Sequence, residues 1–379
     1  MEHYLDNAAT TQVSQAAAEA ALAAMREGFG NPSSGYALGR QAKDALNSAR
    51  ADVSAALGCA PDELFFTSCG TEGDNWAIHA AAAYGKRQGK HIVTSLIEHA
   101  AVLEPVKALE REGYEVTYLK PDKSGLIDSK AVEAALRPDT VLVSLMLVNN
   151  ELGTLLPVRK AADAIRRIGC PALLHTDAVQ GFLKVPFTPK ELGADLVTIS
   201  GHKIHAPKGV GALYIRKGLK LSPLLRGGGQ ENGLRSGTEA TAQIAAFAAA
   251  CREGKARLAG DIACMTALRA YAVKRLREAV PEAVVLTEGG APHILPISLP
   301  NYKSEVLVRF LSDRGVYVSS GSACHRGKPS HVYAALGLPK QLLDGVLRVS
   351  FCGGSTEDDV NALCAALAEA KQALFPTLS

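Results

Sequence analysis

Between about residue 50 and residue 215, short apolar runs alternate with longer segments whose apolar residues recur at helical spacing. The runs at 64–67, 91–95, 115–119, 141–147, 173–176, 196–200 and 211–215 have the length of strands. Segments such as 102–111 and 158–168 carry the three-to-four-residue repeat of helices. Strands separated by helices predict a mainly parallel sheet covered on both faces. From about residue 255 the pattern changes. A charged-apolar helix over 265–280 leads to short strands near 294–299, 316–319 and 347–351, an α+β arrangement. No internal repeat or low-complexity linker interrupts the chain.

A parallel sheet directs attention to the residues just beyond its strands, where ligands of such folds bind. Lys203 stands there, at the end of Thr-Ile-Ser-Gly-His-Lys. Burial at that place lowers a lysine's pKa and leaves a neutral amine able to form a Schiff base. Ser200 and His202 beside it are both able to bind phosphate, whereas an exposed loop lysine is the ordinary alternative. Asp177 follows the run 173–176, with Gln180 three residues on. An Asp at a strand end often caps a helix. It is also the carboxylate that keeps a pyridine nitrogen protonated, a pairing worth roughly 4 kcal/mol at contact with an effective dielectric of about 20. Gln180 would then reach the ring hydroxyl.

Gly70 and Thr71 join the run 64–67 to a helix through 76–83 and offer backbone N–H groups to a phosphate. The spacing is neither the Walker pattern nor Gly-x-Gly-x-x-Gly, so a nicotinamide dehydrogenase is a weak reading. His99, after the run 91–95, has the type and place to stack on a flat cofactor ring and serve in proton transfer as a catalytic residue, or to be structural.

The length of 379 residues fits one large domain with a smaller companion. A net charge of +3 without a dense basic block argues against nucleic acid or an anionic membrane as the main partner. No apolar run is long enough to span a bilayer, and the first residues lack a secretory leader, so a soluble, cytoplasmic protein is expected. Eight cysteines without a Cys-x-x-Cys pair fit neither a zinc site nor a secreted disulfide framework. Cys324 lies in a small-residue, polar segment followed by Arg326 and Lys328, which favour a thiolate, and is the candidate nucleophile. Cys59, Cys170, Cys251, Cys264 and Cys364 sit in Ala-rich or apolar contexts and are expected to be inert and buried.

The motifs together resemble a family over nearly the whole chain. Asn-Ala-Ala-Thr-Thr (7–11), Gly-Asn-Pro-Ser-Ser (30–34), Thr-Ser-Cys-Gly-Thr-Glu-Gly-Asp-Asn (67–75) and Glu-His (98–99) are followed by Val-Asn-Asn-Glu-Leu-Gly (148–153) and His-Thr-Asp-Ala-Val-Gln (175–180). Ser-Gly-His-Lys (200–203), Arg-Ser-Gly-Thr (235–238) and Ser-Gly-Ser-Ala-Cys (320–324) complete the series. Order and spacing resemble the cysteine desulfurases of the NifS/IscS type, class V members of the fold-type I pyridoxal-phosphate (PLP) enzymes.

The resemblance implies an α/β PLP-dependent transferase fold and a homodimer. It implies a large domain over 14–254 and a small one made of 1–13 and 255–379, carrying the Cys324 loop. Pyridoxal 5'-phosphate would be held by Lys203 as a Schiff base, with Asp177 on the pyridine nitrogen, Gln180 on the ring hydroxyl and His99 on the ring. Gly70, Thr71, Ser200 and His202 would hold the phosphate, with Thr238 reaching in from a second subunit. Asn31, Asn150 and Arg348 fall on the substrate side, Arg348 clamping the carboxylate of L-cysteine. The implied reaction has Lys203 take the Cα proton and the Cys324 thiolate attack the substrate sulfur. Alanine leaves, and the Cys324 persulfide passes to an acceptor protein or thiol, for iron–sulfur cluster assembly or tRNA thiolation.

Some positions depart from the family pattern. Tyr36 stands where a His is usual, and Ala206 where Gly is usual. Only four residues separate Cys324 from Pro329, and Phe351-Cys352-Gly353-Gly354 replaces a Ser-Leu-Gly-Arg run. A related class V enzyme that does not need Cys324 stays open as the alternative, whether a selenocysteine lyase, a cysteine sulfinate desulfinase or an aminotransferase. So does a sulfur-relay or scaffold component that keeps the fold without turnover.

Overall fold

The computed structural model describes residues 2–320 and 330–376. Strand β1 (His3–Tyr4) precedes helices α1 (Gln15–Arg26) and α2 (Ala37–Leu57). Strands and helices then alternate: β2 (Leu64–Thr67), α3 (Gly70–Gly85), β3 (His91–Ser95), α4 (Ala100–Arg111), β4 (Glu115–Leu119), α5 (Ser129–Ala135) and β5 (Thr140–Ser144). They continue with α6 (Val158–Ile168), β6 (Leu173–Asp177), α7 (Pro189–Leu192), β7 (Leu196–Ser200) and β8 (Gly211–Ile215). The strands form one seven-stranded sheet in the order β2-β8-β7-β6-β5-β3-β4. The pairs from β7 through β6, β5 and β3 to β4 are parallel, and β8 runs antiparallel to β7 and β2.

Alternate residues of these strands serve two different cores. Leu64, Phe66, Val93, Val143, Leu174, Val197 and Ala212 face one. Phe65, Ile92, Leu142, Leu173, Leu196 and Leu213 face the other, with Trp76 of α3 and Val102 of α4. Both faces are covered, which is why these strands read as unbroken apolar runs rather than as alternating ones. Only β4 shows polarity outward, starting at the exposed Glu115, as suits the edge of the sheet.

The single helix α8 (Thr241–Ala279) takes the chain out of this layer. Its first turns, Ile244 to Cys251, belong to the first core, and Met265 to Leu276 belong to another. The expected helix over 265–280 is thus the second half of a 39-residue one. No proline interrupts it, and the charged stretch between the two apolar patches still favours helix. Beyond it come β9 (Val284–Val285), β10 (Ile294–Ser298), α9 (Ser304–Ser312), β11 (Val316–Tyr317), β12 (Ser319–Ser320), α10 (His331–Ala335), α11 (Lys340–Leu343), β13 (Val346–Ser350) and α12 (Glu357–Ala373). A second, antiparallel sheet has the order β12-β13-β10-β9. The expected strand at 316–319 divides. β11 pairs in parallel with β1 and β12 with β13, the chain changing partners at the buried Val318.

Candidate active site

Two strand ends and two helix starts converge on a pocket of about 410 Å³ at the carboxyl end of the parallel strands. Asp177 closes β6, Ser200 closes β7, and a single 3₁₀ turn, Gly201–Lys203, carries His202 and Lys203. Gly70 and Thr71 open α3, and His99 caps α4 by accepting a hydrogen bond from the Ala101 N–H at 3.1 Å. All seven line the pocket, with Gln180, Asn150 and Arg348.

The first turn of α3 lies close to the sheet because its glycines allow it. A Cβ on Gly70 would stand 2.8 Å from Val179 Cγ2, and one on Gly73 would stand 2.8 Å from Thr198 Cγ2. The free N–H groups of that turn therefore border the pocket beside Ser200.

Lys203 Nζ donates to the carbonyls of Ala8 and Ala9, at 2.8 and 2.7 Å. Burial, with the charges of Arg348 and Lys184, brings its pKa down from 10.5 to about 7. Desolvation also raises Asp177 above the usual carboxylate range, the nearby Asp74 adding to it, while Asp177 Oδ1 accepts from the Val179 N–H at 2.9 Å. Gln180 Nε2 donates to Ala8 O at 2.8 Å, so its Oε1 is an acceptor directed at the pocket. His99 is solvent-accessible through the pocket yet surrounded by protein, and desolvation lowers its pKa. The same cause, aided by Lys203, takes His202 down to about 4. Arg348, central in β13, spans the two layers. Nη1 donates to Asn150 O and Nη2 to Asp6 Oδ1, each at 2.9 Å.

Among the described residues, Asn150 Oδ1, Gln180 Oε1, Ser200 Oγ and Arg348 Nε are buried without a hydrogen-bond partner. Buried polar atoms in native proteins rarely remain so, and these four come from residues that line one pocket. They suit a ligand that is polar along its edge.

Two expected site residues lie elsewhere. Asn31 is exposed, its Oδ1 accepting from the Ser33 N–H, and Thr238 is exposed as well; neither borders the pocket. Cys324 lies outside the described residues. Cys264, expected to be buried, is exposed on α8, since the chain there is bridging two cores rather than packing into one.

The structure adds residues in the wall and behind it that the sequence reading did not single out. Asp74 is buried beside the pocket, its pKa raised to about 7 by desolvation. Its Oδ1 lies 3.5 Å from the fully buried His175, which bonds Ser144 and Thr198. Glu98, raised to about 8 by burial, accepts from Ser95 Oγ and from the Met146 N–H. Its carbonyl accepts from His331 Nε2 at 2.9 Å, and His331 reaches the pocket from the second layer. Asp74 and Glu98 stood inside recognisable motifs, a signal that could have found them; His331 carried none.

A parallel sheet with such a pocket at its carboxyl edge, closed by a second α+β layer, defines an enzyme class, and the comparisons identify it. A profile of the aminotransferase class-V family matches residues 3–363, and the chain belongs to that family. The cysteine desulfurase IscS of Methanosarcina thermophila is 40% identical over 378 residues, covering 98% of this chain and 92% of that one. Cysteine desulfurase 2 of Trichormus variabilis is 42% identical over 365 residues, covering 94% and 90%. The solved structure of a NifS-like protein superposes with a TM-score of 0.93 at 37% identity, covering 99% of this chain and all of that one.

Proposed function

We propose that this chain is a PLP-dependent cysteine desulfurase, converting L-cysteine to L-alanine and taking the sulfur onto Cys324. The observation that carries the reading is the convergence of Lys203, Asp177 and the first turn of α3 on one pocket whose unpartnered polar atoms suit the cofactor's edge. When bound, the cofactor supplies an electron sink that stabilises negative charge at the substrate Cα.

The chain's own groups divide the remaining work. Gly70, Thr71, Ser200 and His202 would hold the phosphate, where helix N–H groups and a free hydroxyl meet. Asp177 would face the ring nitrogen. A cation there would reverse the upward push on its pKa that desolvation causes. Gln180 Oε1 would accept from the ring hydroxyl, and His99 would cover the ring. Lys203, about half neutral at pH 7, would bind the cofactor's aldehyde carbon through Nζ and then serve as base at Cα. Arg348 would fix the substrate carboxylate, aided by the unpartnered Asn150 Oδ1.

The overall change balances: the substrate C–S bond breaks and an S–S bond forms on Cys324. The substrate carbon gains a hydrogen to become alanine. The persulfide then passes to an acceptor thiol or protein, as iron–sulfur assembly or tRNA thiolation requires. Thr238 is exposed on the described chain, as a residue contributed to the other subunit of a homodimer would be.

The test is alanine formation from L-cysteine with a thiol reductant, comparing the intact protein with Cys324→Ala and Lys203→Ala. Alanine from the intact protein alone is expected. Alanine from Cys324→Ala at an unaltered rate would remove the nucleophile role. Bound cofactor without alanine from any of the three would move the substrate to selenocysteine, cysteine sulfinate or another amino acid.

A further inference from the structure

Behind Lys203, on the side away from the active-site pocket, lies a second and much smaller cavity of about 30 Å³. Lys203 borders both cavities, but Cys352, His205 and Lys184 line the small one and are absent from the walls of the large one. Three independent features converge there.

The first is Lys184. Its side chain is 5% exposed, yet its ammonium has no hydrogen-bond partner among the described residues. A buried ammonium without a partner is costly and calls for an anion nearby. Burial lowers its pKa to about 8, and Cys352 is the anionic group that favours its charge.

The second is His205, held with φ at +69°, a left-handed conformation that residues other than glycine seldom adopt. The backbone is fixed there by Thr11 Oγ1, which accepts from the His205 N–H at 2.7 Å, and by the Ser14 N–H, which donates to the His205 carbonyl at 2.9 Å. Its Nδ1 donates to Gln12 O at 2.9 Å, and its ring lines the cavity together with Cys352. Strain held by surrounding bonds is common where a side chain must be aimed.

The third is the thiol. Burial opposes its ionisation, but the neighbouring His205, the Gly354 backbone and Ser355 outweigh that and bring Cys352 from 9.0 down to about 7. Ser355 Oγ lies 3.7 Å from the sulfur. Glu253, Arg257 and Asp261 of α8 also face the cavity, and Tyr4 of β1 feels the Cys352 charge.

We propose that Cys352, His205 and Lys184 form a second reactive-thiol site, separate from the desulfurase chemistry, that is modified by hydrogen peroxide and comparably small hydroperoxides. The Cys352 thiolate displaces one peroxide oxygen, forming an S–O bond as the O–O bond breaks. Sulfur gives up two electrons, and the departing hydroxide takes a proton from Lys184 and leaves as water. The product is a sulfenic acid, which a thiol reductant restores. The cavity has room for a molecule of the size of hydrogen peroxide.

The experiment treats the full-length holoenzyme with hydrogen peroxide at pH 7 in the presence of dimedone and quantifies the adduct on each cysteine peptide. A thiol with a pKa near 7 is about half ionised there, against about 3% for an ordinary thiol. The lower basicity gives back about fivefold of that advantage. Cys352 is therefore expected to label about threefold faster than the exposed Cys264, or more. His205→Gln is expected to remove that advantage and Lys184→Met to reduce it, with Lys184→Arg restoring it. The unaltered protein offers a test independent of folding. Labelling of Cys352 should level off above about pH 8, one unit past its pKa. Labelling no faster than at Cys264, indifference to His205→Gln in a folded variant, or a rate still climbing at pH 9 would each overturn the proposal.

Discussion

Lys203 is a cation held where a cation is poorly solvated, and this has a consequence for the cofactor-free protein. Its pKa is about 7 in the fold and 10.5 in a solvated chain. Between these values the unfolded chain binds a proton that the folded one does not, so stability rises with pH across that window. Below pH 7 both states hold the proton and the penalty is complete, on the order of a few kcal/mol. Lys203→Met removes the titrating group. The melting temperature of the cofactor-free variant is expected to climb less between pH 7 and 10 than that of the unaltered protein. Arg348→Lys makes a complementary test in the holoenzyme. A lysine cannot form the paired bonds of a guanidinium, so KM for L-cysteine should rise about tenfold or more, with kcat changed less. Residues such as Lys203 and Asp177 were legible in the sequence because a parallel sheet says where to look and the chemistry says which type to expect there. His331 was not, and for Asp74 the motif was legible but its burial was not. A buried acid and a surface acid are written with the same letter, and His331 reaches the pocket only through the packing of α10 on the first layer.

Elements position these side chains by contacts that are themselves specific. Pro105 lies inside α4 and has no N–H for the Ala101 carbonyl four residues before it. Asn75 Nδ2 of α3 donates to that carbonyl at 3.5 Å and to Thr71 O at 2.9 Å, tying the starts of the two helices together beside the pocket. The loop before α8 is held by Glu231, which accepts from both Nη atoms of Arg50, at 2.7 and 2.6 Å, and from the Phe66 N–H. The Arg50 guanidinium also stacks 4.7 Å from the centre of the Phe66 ring. Arg50→Ala would leave the buried Glu231 carboxylate without its cation, and a loss of about 3 kcal/mol or more is expected in denaturant unfolding. Gly70→Ala should weaken cofactor binding by about tenfold, ~1.4 kcal/mol, since the added Cβ meets Val179 and shifts the helix start; a titration of the cofactor-free protein reads it. At this scale the sequence was most informative for the first sheet, whose strands are buried on both faces. It was least so at 316–319 and along α8. Hydrophobic periodicity reports that a residue is buried, and is silent on which of two sheets or two cores buries it.

Over the whole molecule, the two layers meet at the active-site pocket, and the first residues of the chain are part of that seam. Leu5 lies in the core of the second layer and Ala8 in that of the first. Asp6 bridges to Ser350 and pairs with Arg348, and the carbonyls of Ala8 and Ala9 hold Lys203. Deleting residues 1–11 removes no group proposed to do chemistry. It is nevertheless expected to abolish alanine formation and to leave a cofactor absorbance whose pH dependence differs from that of the intact protein. The intact second half of the sheet should keep the truncated protein's far-ultraviolet circular dichroism close to that of the full chain.

Because β1 pairs with β11 and Asp6 with Arg348, residues 3–6 can find their place only after Val316 and Arg348 have been made. At about 5–20 residues per second, the interval between synthesis of Asp6 and of Arg348 is roughly 20–70 s. During that time Asp6 has no partner in the second layer, although Ala8, Ala9 and Thr11 can already meet Lys203 and His205. The nascent chain therefore cannot present a finished pocket to the aldehyde it is meant to capture.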